Sequence, residues 1–279
     1  MKTLENSFKK ISMLILSLIV ILSVANCTGK KGEPVDGSGS KMDKKALEKT
    51  VREVVYPLPT SFEVINMINK IEASYIIGLT NPIANVDKYF TDKAQAMNLG
   101  VYSADLSYAS TYNMKQEVMN FMDVSEKLVK DLGITGAFSR EFIDEIEINI
   151  DNKDILTELI TESFYDTYEY LVKNGKEDLS LLVLTGSWIE AMYISCNISN
   201  TVYSNPDLVK VIMHQKTALN KLIELLNTHS GHETITSIIE DLNPIKSVYD
   251  SVDEKGITQK QLDDIINQTE ALRAKITLE

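Results

Sequence analysis

The chain has 279 residues, 28 of them Lys or Arg against 40 Asp or Glu, for a formal net charge of −12. A surface of that sign repels nucleic acid and anionic membrane, so no nucleic-acid partner is expected. The 2 cysteines, Cys27 and Cys196, leave no internal disulfide once Cys27 is assigned as below, and 12 scattered glycines suit neither an all-β chain nor a phosphate-binding loop.

The N-terminus carries the plainest signal. Lys2, Lys9 and Lys10 precede an uncharged apolar run over 11–25, which is short for a membrane span and has the length of a signal-peptide core. It ends Val24-Ala25-Asn26-Cys27. This resembles a bacterial lipoprotein signal over 1–26, with Cys27 acylated by palmitate-type chains and becoming the new N-terminus. Asn26 departs from the usual small residue at that place. An ordinary secretory signal with an incidental Cys and an N-terminal anchor helix are the alternatives. Thr28 follows where an Asp would oppose outer-membrane sorting. The expected location is therefore the cell envelope, at the outer membrane, facing the periplasm or the exterior. Residues 27–41 are rich in Gly, Ser and charge and read as a tether.

From 42 onward the helical period dominates, and an all-α domain of about ten helices is expected over 42–279. A helix over roughly 42–55 stops at Tyr56-Pro57-Leu58-Pro59. The next starts at the capping box Thr60-Ser61-Phe62-Glu63 and runs to Leu79, ahead of Asn81-Pro82. Helices follow at roughly 90–111, 114–132, 138–148, 153–173, 177–199, 206–229, 233–250 and 258–277. Asn205-Pro206-Asp207 and Thr258-x-x-Gln261 are start signals, Gly133 is a stop, and Asn243-Pro244 should kink or break its helix.

Two of these segments are alike. NLGVYSADLSYAS, from Asn98, has Gly100, Tyr102, Asp105 and Tyr108; LTGSWIEAMYISC has Gly186, Trp188, Glu190 and Tyr193. The acid falls five residues after the glycine in one and four in the other. Units of roughly 60–150 and 151–250, followed by a capping helix, would explain the likeness as a duplication; coincidence among amphipathic helices would explain it equally. In the first segment Met97, Val101, Ala104, Tyr108 and Thr111 line one face, and Asp105 lies on or beside it. Gly100 and its small neighbours would admit a close helix. A buried carboxylate needs a partner. A tyrosine hydroxyl or a backbone amide near a helix end is expected for Asp105, and a tyrosine for Glu190.

The lipoprotein signal, Tyr56-x-Leu58-Pro59 before a helix, Leu99-Gly100-Val101-Tyr102 with Asp105-Leu106-Ser107-Tyr108, and Gly186-x-Trp188-Ile189-Glu190 together resemble a family of uncharacterised all-helical lipoproteins of Bacteroidetes. The resemblance spans most of the mature chain. It implies the fold and the envelope location, and it carries no activity or catalytic residue.

Candidate sites are few. Tyr102, Asp105, Tyr108, Trp188, Glu190 and Tyr193 are the ligand-site candidates, with a structural hydrogen-bonding role as the plainer reading. Asp105 and Glu190 are the one acid pair considered for catalysis, should two pseudo-symmetric units bring them across one cleft. His229, His232 and Glu233 are weak metal candidates, since Gly231 between them reads as a polar turn; His214 and Cys196 read as structural. No cofactor is expected. The expected function is a lipid-anchored binding or scaffold protein with a protein, peptide or small-molecule partner. A carboxylate-based hydrolase using Asp105 and Glu190 is the alternative, and glycan capture is suggested by location alone.

Overall fold

The computed structural model describes residues 61–137, 139–198 and 202–278. The signal, Cys27, the tether, the helix expected at 42–55 and Thr60 of the first capping box lie outside them.

The described residues form nine α-helices: α1 Ser61–Lys70, α2 Asp92–Thr111, α3 Lys115–Asp131, α4 Arg140–Ile148, α5 Lys153–Lys173, α6 Glu177–Asn197, α7 Pro206–Asn227, α8 Glu233–Asp250 and α9 Gln259–Leu278. Three short 3-10 helices join them, at Ile83–Lys88, Thr135–Ala137 and Val202–Ser204. No strand occurs among the described residues; an isolated bridge pairs Asp253 with Gly256. The fold is all-α, as the helical period requires.

The punctuation residues act as their chemistry dictates. Asn205 accepts the Asp207 and Leu208 amides at the start of α7, with Pro206 in the first turn. Thr258 and Gln261 form a reciprocal capping box before α9: Gln261 N–H donates to Thr258 Oγ1 and Thr258 N–H to Gln261 Oε1. Gly133 takes a left-handed φ of 63° just past α3.

Two expectations are corrected. The helix expected to run to Leu79 ends at Lys70. The chain beyond it trades its own helical hydrogen bonds for side chains at the C-terminal end of α2 and its cap: Ile76 N–H donates to Tyr108 Oη, and Tyr112 Oη donates to the Ala73 carbonyl. Tyr75 stacks on Tyr108 with ring centroids 4.5 Å apart. The second concerns the break offered, beside a kink, at Pro244: the residue sits inside α8 without ending it. It removes one backbone donor, but helix continues on both sides, with Ile238 and Leu242 before it and Ile245 and Tyr249 after it all buried.

Two helices occupy the centre. Every residue of α2 from Gln95 to Thr111 is buried except Ser103, and every residue of α6 from Ser180 to Cys196 except Tyr193. A one-sided apolar stripe is therefore the wrong description of α2, whose surroundings close on all sides. α2 and α6 pack chiefly on each other. α1, α5 and α9 contact both; α3 flanks α2, α7 flanks α6, and α8 lies against α7 and α9. α6 is also the one described helix long and apolar enough to cross a membrane, and 89% of that stretch is buried within the protein. Its apolarity is explained by its place in the core.

Candidate functional site

The two like segments meet. A Cβ added at Gly100 would lie 2.0 Å from the Val183 carbonyl oxygen and 2.7 Å from Ser187 N; one added at Gly186 would lie 1.9 Å from the Met97 carbonyl oxygen. The backbones of α2 and α6 are thus in contact, at a separation no other residue permits. A mid-helix glycine costs about 1 kcal/mol relative to Ala, and close packing on both partners offsets it.

This crossing sets Asp105 and Glu190 against one another. Both are fully buried, and their carboxyls are within hydrogen-bonding reach. Asp105 Oδ2 accepts the backbone N–H of Asn81 at 3.0 Å. Asn81 lies just before the first 3-10 helix, so the expected amide near a helix end is found and the tyrosine hydroxyl is not. Glu190 takes no tyrosine either. Arg273 of α9 grips it with two parallel bonds, Nε to Oε2 and Nη2 to Oε1, each 3.0 Å. The guanidinium also lies over the Tyr193 ring, 4.3 Å from its centroid. Burial drives the Asp105 carboxyl well above the usual carboxylate range, and the neighbouring Glu190 charge adds to it. Burial lifts Glu190 as well, against the opposing pull of Arg273.

A second polar layer continues from this pair to the C-terminus of α9. The last carbonyls of a helix have no partner within it. Here Asn98 Nδ2 donates to the Ile276 carbonyl at 2.7 Å and Tyr89 Oη to that of Thr277 at 3.1 Å. Asn81 Nδ2 donates to Tyr89 Oη at 3.0 Å, and Asn85 Nδ2 to Asn81 Oδ1 at 2.9 Å.

The remaining sequence candidates disperse. Tyr102 donates to the Pro82 carbonyl and stacks near Phe121, while Tyr108 belongs to the Tyr75 stack. Trp188 is buried with no hydrogen-bond partner for its indole N–H. His229 pairs through Nδ1 with its neighbour Thr228, and His232 with Asp178 at 2.8 Å. His229, His232 and Glu233 therefore do not converge, and among the described residues no group of three or more His, Cys, Asp or Glu is placed to hold a metal.

Sequence reasoning missed Arg273, Asn81, Asn98 and Tyr89. Arg273 left one trace: it is one of three arginines in the chain, beside Leu272 on the buried stripe of α9.

The chemistry open to this cluster is limited by its closure. A glycosidase pair stands about 5–10 Å apart around the sugar bond. Here the two carboxyls are hydrogen-bonding neighbours, sealed from solvent and occupied by Asn81 and Arg273. One recess lies away from the pair, between α2 and α5, lined by Ser103, Ser107, Thr161, Thr167 and Phe164; another lies among α2, α6, α8 and α9, lined by Met97, Ile189, Leu242 and Leu272. No family model matches the chain, and comparison with curated proteins and with solved structures finds no match to it.

Proposed function

We propose that this protein is a lipid-anchored component of a bacterial cell envelope that binds a partner and catalyses no reaction at its acid pair. The observation that carries the reading is the N-terminal pattern of Lys2, Lys9 and Lys10, an uncharged apolar run over 11–25, and Cys27 followed by a glycine- and serine-rich stretch. Thr28 favours the outer membrane, and the likeness to helical lipoproteins of Bacteroidetes agrees with that location. Binding is favoured over hydrolysis because Asp105 and Glu190 are consumed by contacts that hold the fold. A protein or peptide is the favoured partner class, since an acidic all-helical exterior offers broad polar faces; a small ligand in the recess between α2 and α5 is the next.

The test is fatty-acid labelling and membrane fractionation of the wild-type chain and Cys27→Ser, followed by cross-linking on intact cells. Label on the wild type alone, with the variant uncleaved or lost from the membrane, supports the anchor. An unacylated N-terminus downstream of Cys27 overturns it.

A further inference from the structure

In the contact between α2, α6 and α9 one buried carboxylate oxygen, Asp105 Oδ1, meets no donor, and a proton shared with a neighbouring acid would satisfy it. Asp105 Oδ2 accepts the Asn81 amide, and each Glu190 oxygen accepts from Arg273. Asp105 Oδ1 is buried with no N–H or O–H directed at it, and the group within reach is the Glu190 carboxyl. Two ionised carboxylates in contact, both sealed from water, would face repulsion and full desolvation together. One proton between them removes both costs. The Arg273 fork matches a carboxylate, so the charge belongs on Glu190 and the proton on Asp105. With that proton the triad is neutral; without it one uncompensated negative charge is buried.

We propose that a proton carried by Asp105 and donated from Oδ1 to Glu190 latches the C-terminal helix α9, through Arg273, onto the α2–α6 crossing, so that rising pH loosens α9. The groups that act on Asp105 are Tyr102 and Tyr108 on its own helix, Glu190 and Tyr193 from α6, Arg273 from α9, and Tyr75 from the segment after α1. Glu117 of α3 stands one step out, accepting from Tyr75 Oη. Burial raises all four tyrosines, so they stay neutral while the acid titrates. The direction follows from linkage. A carboxyl that holds its proton more tightly when folded stabilises the fold fully below the ordinary Asp value of about 4. That contribution falls as pH rises through the window up to the folded-state value.

The experiment uses the full chain in detergent and Asp105→Asn, whose amide donates to Glu190 and still accepts from Asn81. Urea unfolding is followed from pH 4 to 9, with amide exchange of α9 read alongside. Relative to the variant, the wild type should lose folding equilibrium constant by up to about tenfold per pH unit across the window, the limit for one proton, and α9 should exchange faster as pH rises. Parallel curves overturn the latch. Should Asp105→Asn fail to fold, the Asp105 carboxyl carbon in the wild type is titrated by NMR: no step near pH 4 supports the proposal, and an ordinary step there overturns it.

Discussion

Gly100 and Gly186 both sit in the α2–α6 crossing, so close to the opposite backbone that a Cβ on either would fall about 2 Å from a carbonyl oxygen of the other helix, 2.0 Å from Val183 and 1.9 Å from Met97. Backbone cannot yield as a flexible side chain does. Gly100→Ala or Gly186→Ala should therefore force the helices apart and lower stability by about 2–4 kcal/mol, despite a gain of about 1 kcal/mol in helix propensity. Gly231→Ala is the control, since nothing lies within 4 Å of its added methyl. Equal urea midpoints for all three variants would show that the helices are not in backbone contact.

Arg273 holds Glu190 and covers Tyr193. Arg273→Met should cost about 3–5 kcal/mol, because a buried carboxylate is left without its countercharge. Adding Glu190→Leu should recover most of that loss, since an apolar pair of similar volume removes the stranded charge. Arg273→Lys should remain well below wild type: a lysine offers neither the parallel fork nor the flat cation over the ring. The check is a double-mutant cycle on denaturant midpoints. Additive losses would mean the pair is not coupled and would remove the basis for a latch.

What the sequence disclosed and what it withheld follow from the range of the interactions involved. The caps at Asn205 and Thr258 and the stop at Gly133 are contacts within a few residues, so residue type at fixed spacing reveals them. The segment after Lys70 has a helical pattern but is claimed by Tyr108 and Tyr112, more than thirty residues on, a competition that no local window contains. Periodicity failed differently at α2. A helix buried on all sides has no stripe to read, although the expectation that Asp105 is buried and needs a partner did not depend on one. The likeness of the two glycine segments did point to the crossing. Nothing in the spacing pointed to Arg273, 83 residues beyond Glu190.

Cys196 is free and buried on α6, and burial, with a smaller contribution from the Glu270 charge, pushes its thiol up to about 12. The thiolate is the reactive form. In the folded chain Cys196 should label with an aromatic disulfide reagent only as fast as the protein opens. In denaturant the reaction should be immediate. Prompt labelling without denaturant would contradict its burial and reopen a chemical role for the residue.

Tyr89 and Asn98 should matter to α9 in a way that does not depend on pH. Each donates to one carbonyl in the last turn of the helix, Thr277 and Ile276 respectively, where no helical N–H follows to do so. Tyr89→Phe removes the donor to Thr277 and leaves the Asn81 amide group with only its longer bond, 3.5 Å, to Asn98 Oδ1. Asn98→Leu strips Ile276 and puts an apolar group beside a buried carbonyl. Each should cost about 1–3 kcal/mol, the desolvation of the orphaned group. Exchange should quicken first in the last turn of α9, while the Arg273–Glu190 grip one turn earlier persists. Because neither donor titrates in the range of Asp105, both variants should keep the wild-type dependence of stability on pH, displaced downward by a constant. If instead they flatten that dependence as Asp105→Asn should, the polar layer and the acid pair form one unit, and the proton can no longer be assigned to Asp105 alone.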